Sequence, residues 1–591
     1  MTLSRALSSN TNLGSWISQA RAVFVGNQNS DEPITDKDSS GILSVEGQGK
    51  TLAKETRARI IVFFGIVVLV YAVIGLRLIA LGFDSPRTPV LAQTPQEQIR
   101  ASRPDIVDRN GVLLATDVPS TAVYADPAAL VDLDDTLDRL GTALPDLSRQ
   151  TMQERLSRDS RFEWVARDLT PAARDALMEQ GVPGVGFLQE SRRFYPADRL
   201  ASHVLGAVNV DHEGLAGVER HLDQALLSNL AALGFIDGQT TEFKAQRLSL
   251  DVRVQHIIED VLRQSIERYQ AIGATAALMD VRTGEVLGLS SLPDFNPNTR
   301  EGLGDETALN RAVGGVYELG SVFKVFTLAA GLDSGAISME SMLDARRPIR
   351  IGSATINDFH ARRAMLSTTD VFVASSNIGT IRIAEAMGVP VQREYYSRLG
   401  LLDRLQIELP GAATPVYPRD EWSRLSAATI SFGHGLTTTP LQVLAATAAT
   451  VNGGIYRNPT LFADDGAELE AQGRRVLSEQ TSANMRALFE ENVLRGSGRR
   501  AAVPGLNLGG KTGTAEKIVD GRYSGDHRLN SFVSAFPMSD PHYALIVVID
   551  EPQPVEGRTS ATAGLNAAPM TRQIVERVAP ILGLVPAPAQ D

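Results

Sequence analysis

An apolar run from Ile60 to Leu76 resumes after Arg77 and continues to Phe83, close to the ~20 residues that a helix needs to cross a bilayer. It predicts a single membrane-spanning helix over residues 59–83. Lys50, Lys54, Arg57 and Arg59 precede the run, whereas Asp84, Arg87 and Glu97 follow it, which keeps the amino end in the cytoplasm. The polar stretch ahead of the run is too long for a signal peptide, so the anchor is expected to stay uncleaved. Residues 1–58 are rich in Ser, Asn, Gly and Asp and read as a mostly disordered tail. Residues 84–100, with Pro86, Pro89 and Pro95, read as a linker.

Beyond the linker the pattern becomes that of folded domains. Asp105 to Thr116 predicts a hairpin, with Asn110-Gly111 at the turn and branched residues on both arms. From Asp126 to Leu188 helical patterns alternate with polar turns, and residues 101–245 form a unit without recognisable chemistry. A second unit, 249–585, opens on Ser249 as the N-cap of an amphipathic helix carrying Ile257, Ile258, Val261, Leu262 and Ile266. Strands follow at Ala274–Val281 and Glu285–Leu292, turning at Arg282-Thr283-Gly284. Helical patterns fill most of 320–500, strands return at Ser531–Phe536 and Tyr543–Ile549, and a helix runs from Pro569 to about Leu582. Strands at both ends with helices between them predict one antiparallel sheet covered by helices, in a multidomain α+β chain. Residues 586–591 are a short tail.

At 591 residues the chain is too long for one core. Its net charge of −12, with no long Lys/Arg cluster, argues against nucleic acid as a partner. The absence of cysteine excludes disulfides, thiol catalysis and Cys-ligated zinc. The 8 histidines show no i, i+4 pair flanking a Glu, so no metal and no cofactor is expected.

The candidate chemistry centres on Tyr317-Glu-Leu-Gly-Ser-Val-Phe-Lys324. A helix beginning at Ser321 would bring the Lys324 amine to the Ser321 hydroxyl, a nucleophile beside a base. Ser-x-x-Lys is a weak signal alone. Ser375-Ser376-Asn377 and then Lys511-Thr512-Gly513-Thr514 follow, in the order known from penicillin-binding proteins and class A β-lactamases. Ser8-Ser9-Asn10 and Ser482-Ala483-Asn484 also fit Ser-x-Asn, but one precedes the membrane span and the other begins a surface helix predicted over Thr481–Leu494.

With these motifs the chain resembles the class B penicillin-binding proteins, over roughly residues 60–585. The likeness extends to Arg103–Ala115, Arg193-Phe194-Tyr195-Pro196, Asn310-Arg311 and Gly433-His434-Gly435-Leu436 through Gln442; the last two look most like the cell-division type. Leu319 and Pro104 depart from the family at positions that touch no reacting group. The resemblance implies a single transmembrane helix, an elongated α/β pedestal of the dimerisation type and a transpeptidase domain. It implies a peptidoglycan D,D-transpeptidase acting at the septum, inhibited by β-lactams, anchored in the bacterial inner membrane with its catalytic domain in the periplasm. Its expected partners are peptidoglycan stem peptides, a membrane glycan polymerase and other division proteins. Side-wall elongation, a β-lactam sensor and a structural division protein without turnover are the competing readings.

By the same resemblance, Ser321 attacks the penultimate D-Ala carbonyl, Lys324 accepts its proton and Ser375 relays a proton to the leaving group. Asn377 holds the substrate amide, Lys511 with the Thr512 and Thr514 hydroxyls receives the terminal carboxylate, and Gly513 lets substrate backbone approach. The backbone N–H groups of Ser321 and Thr514 form the oxyanion hole. A free lysine, with a pKa of ~10.4, is neutral only about once in 2,500 at pH 7. Burial and the charge of Lys511 are therefore expected to push Lys324 down.

Overall fold

The structure, a computed structural model, describes residues 62–77, 103–233, 244–359, 362–463, 472–519 and 521–584. The tail 1–58, the linker 84–100 and the tail 586–591 lie outside them. The chain divides into two compact units, Met1–Gln98 and Ile99–Asp591. Of the first, residues 62–77 are described and form a helix with exposed apolar side chains. No helix among the described residues is long and apolar enough to cross a membrane.

The second unit begins with the expected hairpin, Ile106–Val107 against Leu113–Ala125. The Asp108 carboxylate accepts the N–H groups of Asn110 and Val112, both at 2.8 Å. Gly111 supplies the positive φ that the turn requires, 85°. The second arm runs on to Ala125 and becomes the centre of a five-stranded sheet that includes Glu163–Leu169, Val185–Phe194 and Gln246–Arg247. Glu163–Leu169 corrects the purely helical expectation for 126–188. Its Val165 and Leu169 are buried beside Val123, Ala125, Leu137, Leu140 and Met152, so partners distant in sequence override its polar composition. Helices Leu133–Ala143, Arg149–Leu156 and Pro171–Gln180 start at side-chain caps from Asp132, Ser148 and Thr170.

The remainder of this unit contains a second five-stranded sheet, antiparallel throughout, in the order Gly509–Val519, Arg522–Phe536, Tyr543–Asp550, Gly273–Asp280, Val286–Leu292. The helices Val252–Tyr269 and Ala567–Val578 share one apolar cluster with it. A larger cluster joins it to Lys324–Asp333, Asn377–Met387 and Pro440–Val451. Pro440–Val451 is buried at every position, as expected of a helix apolar on all sides. The N-cap of Val252–Tyr269 is Asp251 rather than Ser249. The Ser249 hydroxyl instead donates to the carbonyls of Val286 and Thr460 at 2.8 and 3.1 Å. The helix expected to lie on the surface, observed as Glu479–Arg495, buries Met485, Leu488 and Phe489, and its Asn492 donates to the Gly510 carbonyl at 2.7 Å. It therefore backs the strand that carries Lys511.

The pedestal meets this remainder through paired hydrogen bonds. The Tyr195 N–H donates to Asn298 Oδ1 and Asn298 Nδ2 donates back to the Tyr195 carbonyl, both at 3.0 Å. Beneath them Arg193 bonds Glu219 at 2.7 Å and Asp117 at 3.1 Å, and Arg103 bonds the same Glu219 at 2.8 Å. The side chains of Arg193 and Glu219 are 0% exposed.

Candidate active site

The first residue of the helix Lys324–Asp333 is Lys324, and Ser321 lies in the 3-10 turn Gly320–Phe323 ahead of it. The α-helix therefore starts three residues later than expected. The proximity survives, because residues i and i+3 eclipse in a 3-10 turn. Lys324 Nζ stands 3.0 Å from Ser321 Oγ, 3.1 Å from Ser375 Oγ, 2.8 Å from Asn377 Oδ1 and 2.5 Å from the Ser375 carbonyl. An ammonium has three donors for these four acceptors. A neutral amine makes the same number, two donated and one accepted from a serine hydroxyl, so in either state two of the four contacts share one site on the nitrogen.

Lys324 is 0% exposed. Burial pushes its pKa well down and the Lys511 charge pushes the same way, against the Asp358 carboxylate. Lys511 reaches Ser375 Oγ from the other side, at 3.0 Å, and burial lowers it to about 7. Ser375 thus bridges two buried amines. Its φ of 56° is a left-handed conformation that a serine rarely adopts, at the turn into the helix Asn377–Met387.

The strand Gly509–Val519, which carries Lys511, lies at the edge of its sheet. The Thr512 hydroxyl is 2.6 Å from Ser497 Oγ, and Thr514 Oγ1 accepts the Ala563 N–H at 3.1 Å. Thr514 accepts there and keeps its own O–H as a donor, whereas the Thr512 hydroxyl is shared with Ser497. A Cβ on Gly513 would stand 2.2 Å from the Leu319 carbonyl and 2.5 Å from Ser531 Oγ. The glycine is required there by the turn that carries the nucleophile, which differs from the expected reason of substrate approach. Gly320, at φ 52°, is equally tight: its Cβ would stand 2.7 Å from the Thr514 carbonyl. The backbones of the serine turn and the edge strand are thereby pressed together.

Among the neighbours that complete the site, Asn357 carries no local signal in the sequence. Asn357 accepts the Asn377 side-chain amide at 3.1 Å, which turns Asn377 Oδ1 toward Lys324. Glu318 accepts the Gly435 N–H at 2.7 Å and the Tyr523 hydroxyl at 3.1 Å, tying the segment ahead of Ser321 to the loop at Gly435 and to the strand Arg522–Phe536. His434 packs edge-on to Tyr523. Its buried Nδ1 has no hydrogen-bond partner among the described residues, and burial together with the Lys324 charge lowers its pKa to about 4. It is therefore neutral at physiological pH.

The penicillin-binding protein transpeptidase domain model matches residues 274–576 and the penicillin-binding protein dimerisation domain model matches 98–227. The chain belongs to the penicillin-binding protein transpeptidases. It is 40% identical over 499 residues to the probable peptidoglycan D,D-transpeptidase FtsI of Caulobacter vibrioides, covering 82% of both chains. It is 33% identical over 485 residues to the peptidoglycan D,D-transpeptidase FtsI of Escherichia coli K12, covering 77% of this chain and 80% of that one. Among solved structures, penicillin-binding protein 3 of Mycobacterium tuberculosis, complexed with aztreonam, is similar with a TM-score of 0.62 and 25% identity, over 83% of this chain and 98% of that one. As a penicillin-binding transpeptidase, this chain is a serine-type D-Ala-D-Ala acyltransferase.

Proposed function

We propose that this penicillin-binding transpeptidase cross-links stem peptides at the division septum through an acyl-enzyme on Ser321. The observation that carries the reading is the buried Lys324 amine within 3.0 Å of Ser321 Oγ and 3.1 Å of Ser375 Oγ. Ser321 Oγ attacks the penultimate D-Ala carbonyl as its proton passes to the neutral Lys324 amine. The tetrahedral oxyanion is held by the N–H groups of Ser321 and Thr514. Collapse breaks the peptide bond, and the departing D-Ala amine takes a proton through Ser375, which lies between Lys324 and Lys511. Lys511, with the Thr512 and Thr514 hydroxyls, binds the terminal carboxylate, and Asn377 holds the stem amide. The amine of a second stem then attacks the ester, restores the Ser321 hydroxyl and leaves the cross-link. β-Lactams acylate the same serine.

The septal assignment is supported by the likeness at Asn310-Arg311 and Gly433–Gln442 and by the relatives of the FtsI type. In this reading residues 59–83 span the inner membrane with the amino end in the cytoplasm, and the anchor and pedestal meet a glycan polymerase and other division proteins. Labelling with a fluorescent penicillin, followed by assay of stem joining to an acceptor amine, tests the chemistry. Labelled peptide should contain Ser321 alone, and Ser321→Ala should abolish both signals; label on another serine would overturn the assignment. Depletion in a rod-shaped host should give filaments, whereas rounded cells that still divide would replace septation by elongation.

A further inference from the structure

Ser375, Ser376 and Asn377 form a turn that has to present two side chains to Lys324 while one residue is left-handed, and such a turn does not hold itself. Two consecutive residues outside every motif described above hold it. Asp358 Oδ2 accepts the Ser376 hydroxyl at 2.8 Å and Asp358 Oδ1 accepts the Ile378 N–H at 2.9 Å. Ser376 Oγ in turn accepts the Gly379 N–H at 2.9 Å as the helix N-cap. Asn357 supplies its carbonyl to Asn377 Nδ2 at 3.1 Å. Each Asp358 oxygen faces a donor, and the first turn of a helix favours a negative charge. An amide at this position would turn its NH2 toward one of those donors.

We propose that Asp358 is a positioning residue for acylation, fixing the Ser375–Asn377 turn against Lys324 and setting the balance of charge around that amine. The titratable groups whose charge reaches Lys324 are Lys511, Asp358 and His434. Lys511 disfavours the protonated amine and Asp358 favours it, while His434 is neutral above its value of about 4. Removing the Asp358 charge therefore makes Lys324 lose its proton at lower pH. The rate of acylation, which needs the neutral amine, should then keep its plateau further into acid.

This inference rests on the roles given to Ser321 and Lys324, and the two fail separately. Absence of penicillin label on Ser321 in the unaltered chain would sink those roles, whereas the present inference is read from variants that still label there. The full-length chain in detergent is acylated with a fluorescent penicillin between about pH 6 and about pH 9, with circular dichroism as the control for folding. Asp358→Asn should lower the acylation rate by ~10-fold to ~100-fold and move its acid limb down by about half a unit or more. Ser376→Ala, which removes a hydrogen bond and leaves the charge, should lower the rate with the limb in place. Asp358→Glu, which keeps the charge and displaces the acceptors, should do the same and serves if Asp358→Asn does not fold. An Asp358→Asn rate within about twofold of the unaltered chain, or a lowered rate with an unmoved limb, overturns the proposal, as does an Asp358→Glu rate equal to that of the unaltered chain.

Discussion

The pedestal and the active site each bury two cationic side chains, and they treat them in opposite ways. In the pedestal, Arg103 and Arg193 converge on Glu219 and Asp117. Burial works against the Arg193 charge, but the Glu219 and Asp117 carboxylates outweigh it and hold the guanidinium above its ordinary value. In the active site, Lys324 and Lys511 flank a serine hydroxyl and, among the described residues, no carboxylate bonds either amine. Both are pushed down, chiefly by burial. Buried charge that is paired locks a structure, whereas a buried amine left without an anion becomes a base at neutral pH. The choice of lysine for one site and arginine for the other follows, since a guanidinium does not give up its proton in a protein.

The largest effect is expected at the base. Lys324→Met should cut penicillin acylation by ~10²-fold to ~10⁴-fold, with a melting temperature near that of the unaltered chain, because the hydrogen bonds lost at Ser321, Ser375 and Asn377 are offset by removing the cost of a buried amine. A drop in melting temperature comparable to that of a pedestal variant would erase the contrast. Glu219→Gln should do the reverse. By removing the buried carboxylate that the two arginines share, and leaving Arg193 with Asp117 and Arg103 with Asp223, it should destabilise the fold by about 3 kcal/mol, measured by chemical denaturation, while folded molecules still label at Ser321.

The lysines also predict a slope of stability with pH. Above about 7 Lys511 is largely unprotonated in the fold, whereas the unfolded chain holds that proton up to ~10.4. The unfolded state then binds more protons, so stability rises with pH across this window. The gain should be roughly 2 kcal/mol between about pH 7 and about pH 9, and Lys511→Met should lose that part of it. Equal slopes for the two proteins would show that the lysine is charged in the fold. The smallest effect is expected at an exposed pair. Arg149 faces Asp134 and Asp138 with side chains 51%, 84% and 71% exposed, and Arg149→Ala should change stability by no more than about 0.5 kcal/mol. A loss as large as that of Glu219→Gln would mean that pairing matters irrespective of burial.

Much of the architecture was legible because it is written in short-range patterns. The Asn110-Gly111 hairpin and the strand pair turning at Gly284 rest on turn chemistry and alternation within a few residues, and both are present as Ile106–Val107 with Leu113–Ala125 and as Gly273–Asp280 with Val286–Leu292. The return strands Arg522–Phe536 and Tyr543–Asp550 cover the runs expected at Ser531–Phe536 and Tyr543–Ile549. The order of Ser321, Ser375 and Lys511 along the chain pointed to one site; Ser321 and Ser375 meet at the Lys324 amine, and Lys511 reaches Ser375 from its other side.

What the sequence by itself determined, then, is the family and the short elements that carry the candidate groups, since periodicity, turn residues and motif order are local properties. The tertiary structure alone decided which polar groups hold them. Ser249 and Asp251 are equally good caps on local grounds, and only the strand and loop packed beside Ser249 take its hydroxyl away from the helix. Asp358 has no motif around it, and its carboxylate matters because a separate segment brings Ser376 and Ile378 to it. Gly513 reads as room for a substrate until the Leu319 carbonyl is found filling that room. Arg103 and Glu219 stand 116 positions apart, and their meeting depends on the whole sheet between them. A hydrogen bond or an ion pair is fixed by distance in space, and a pattern read along the chain carries that information only for residues that are neighbours in it.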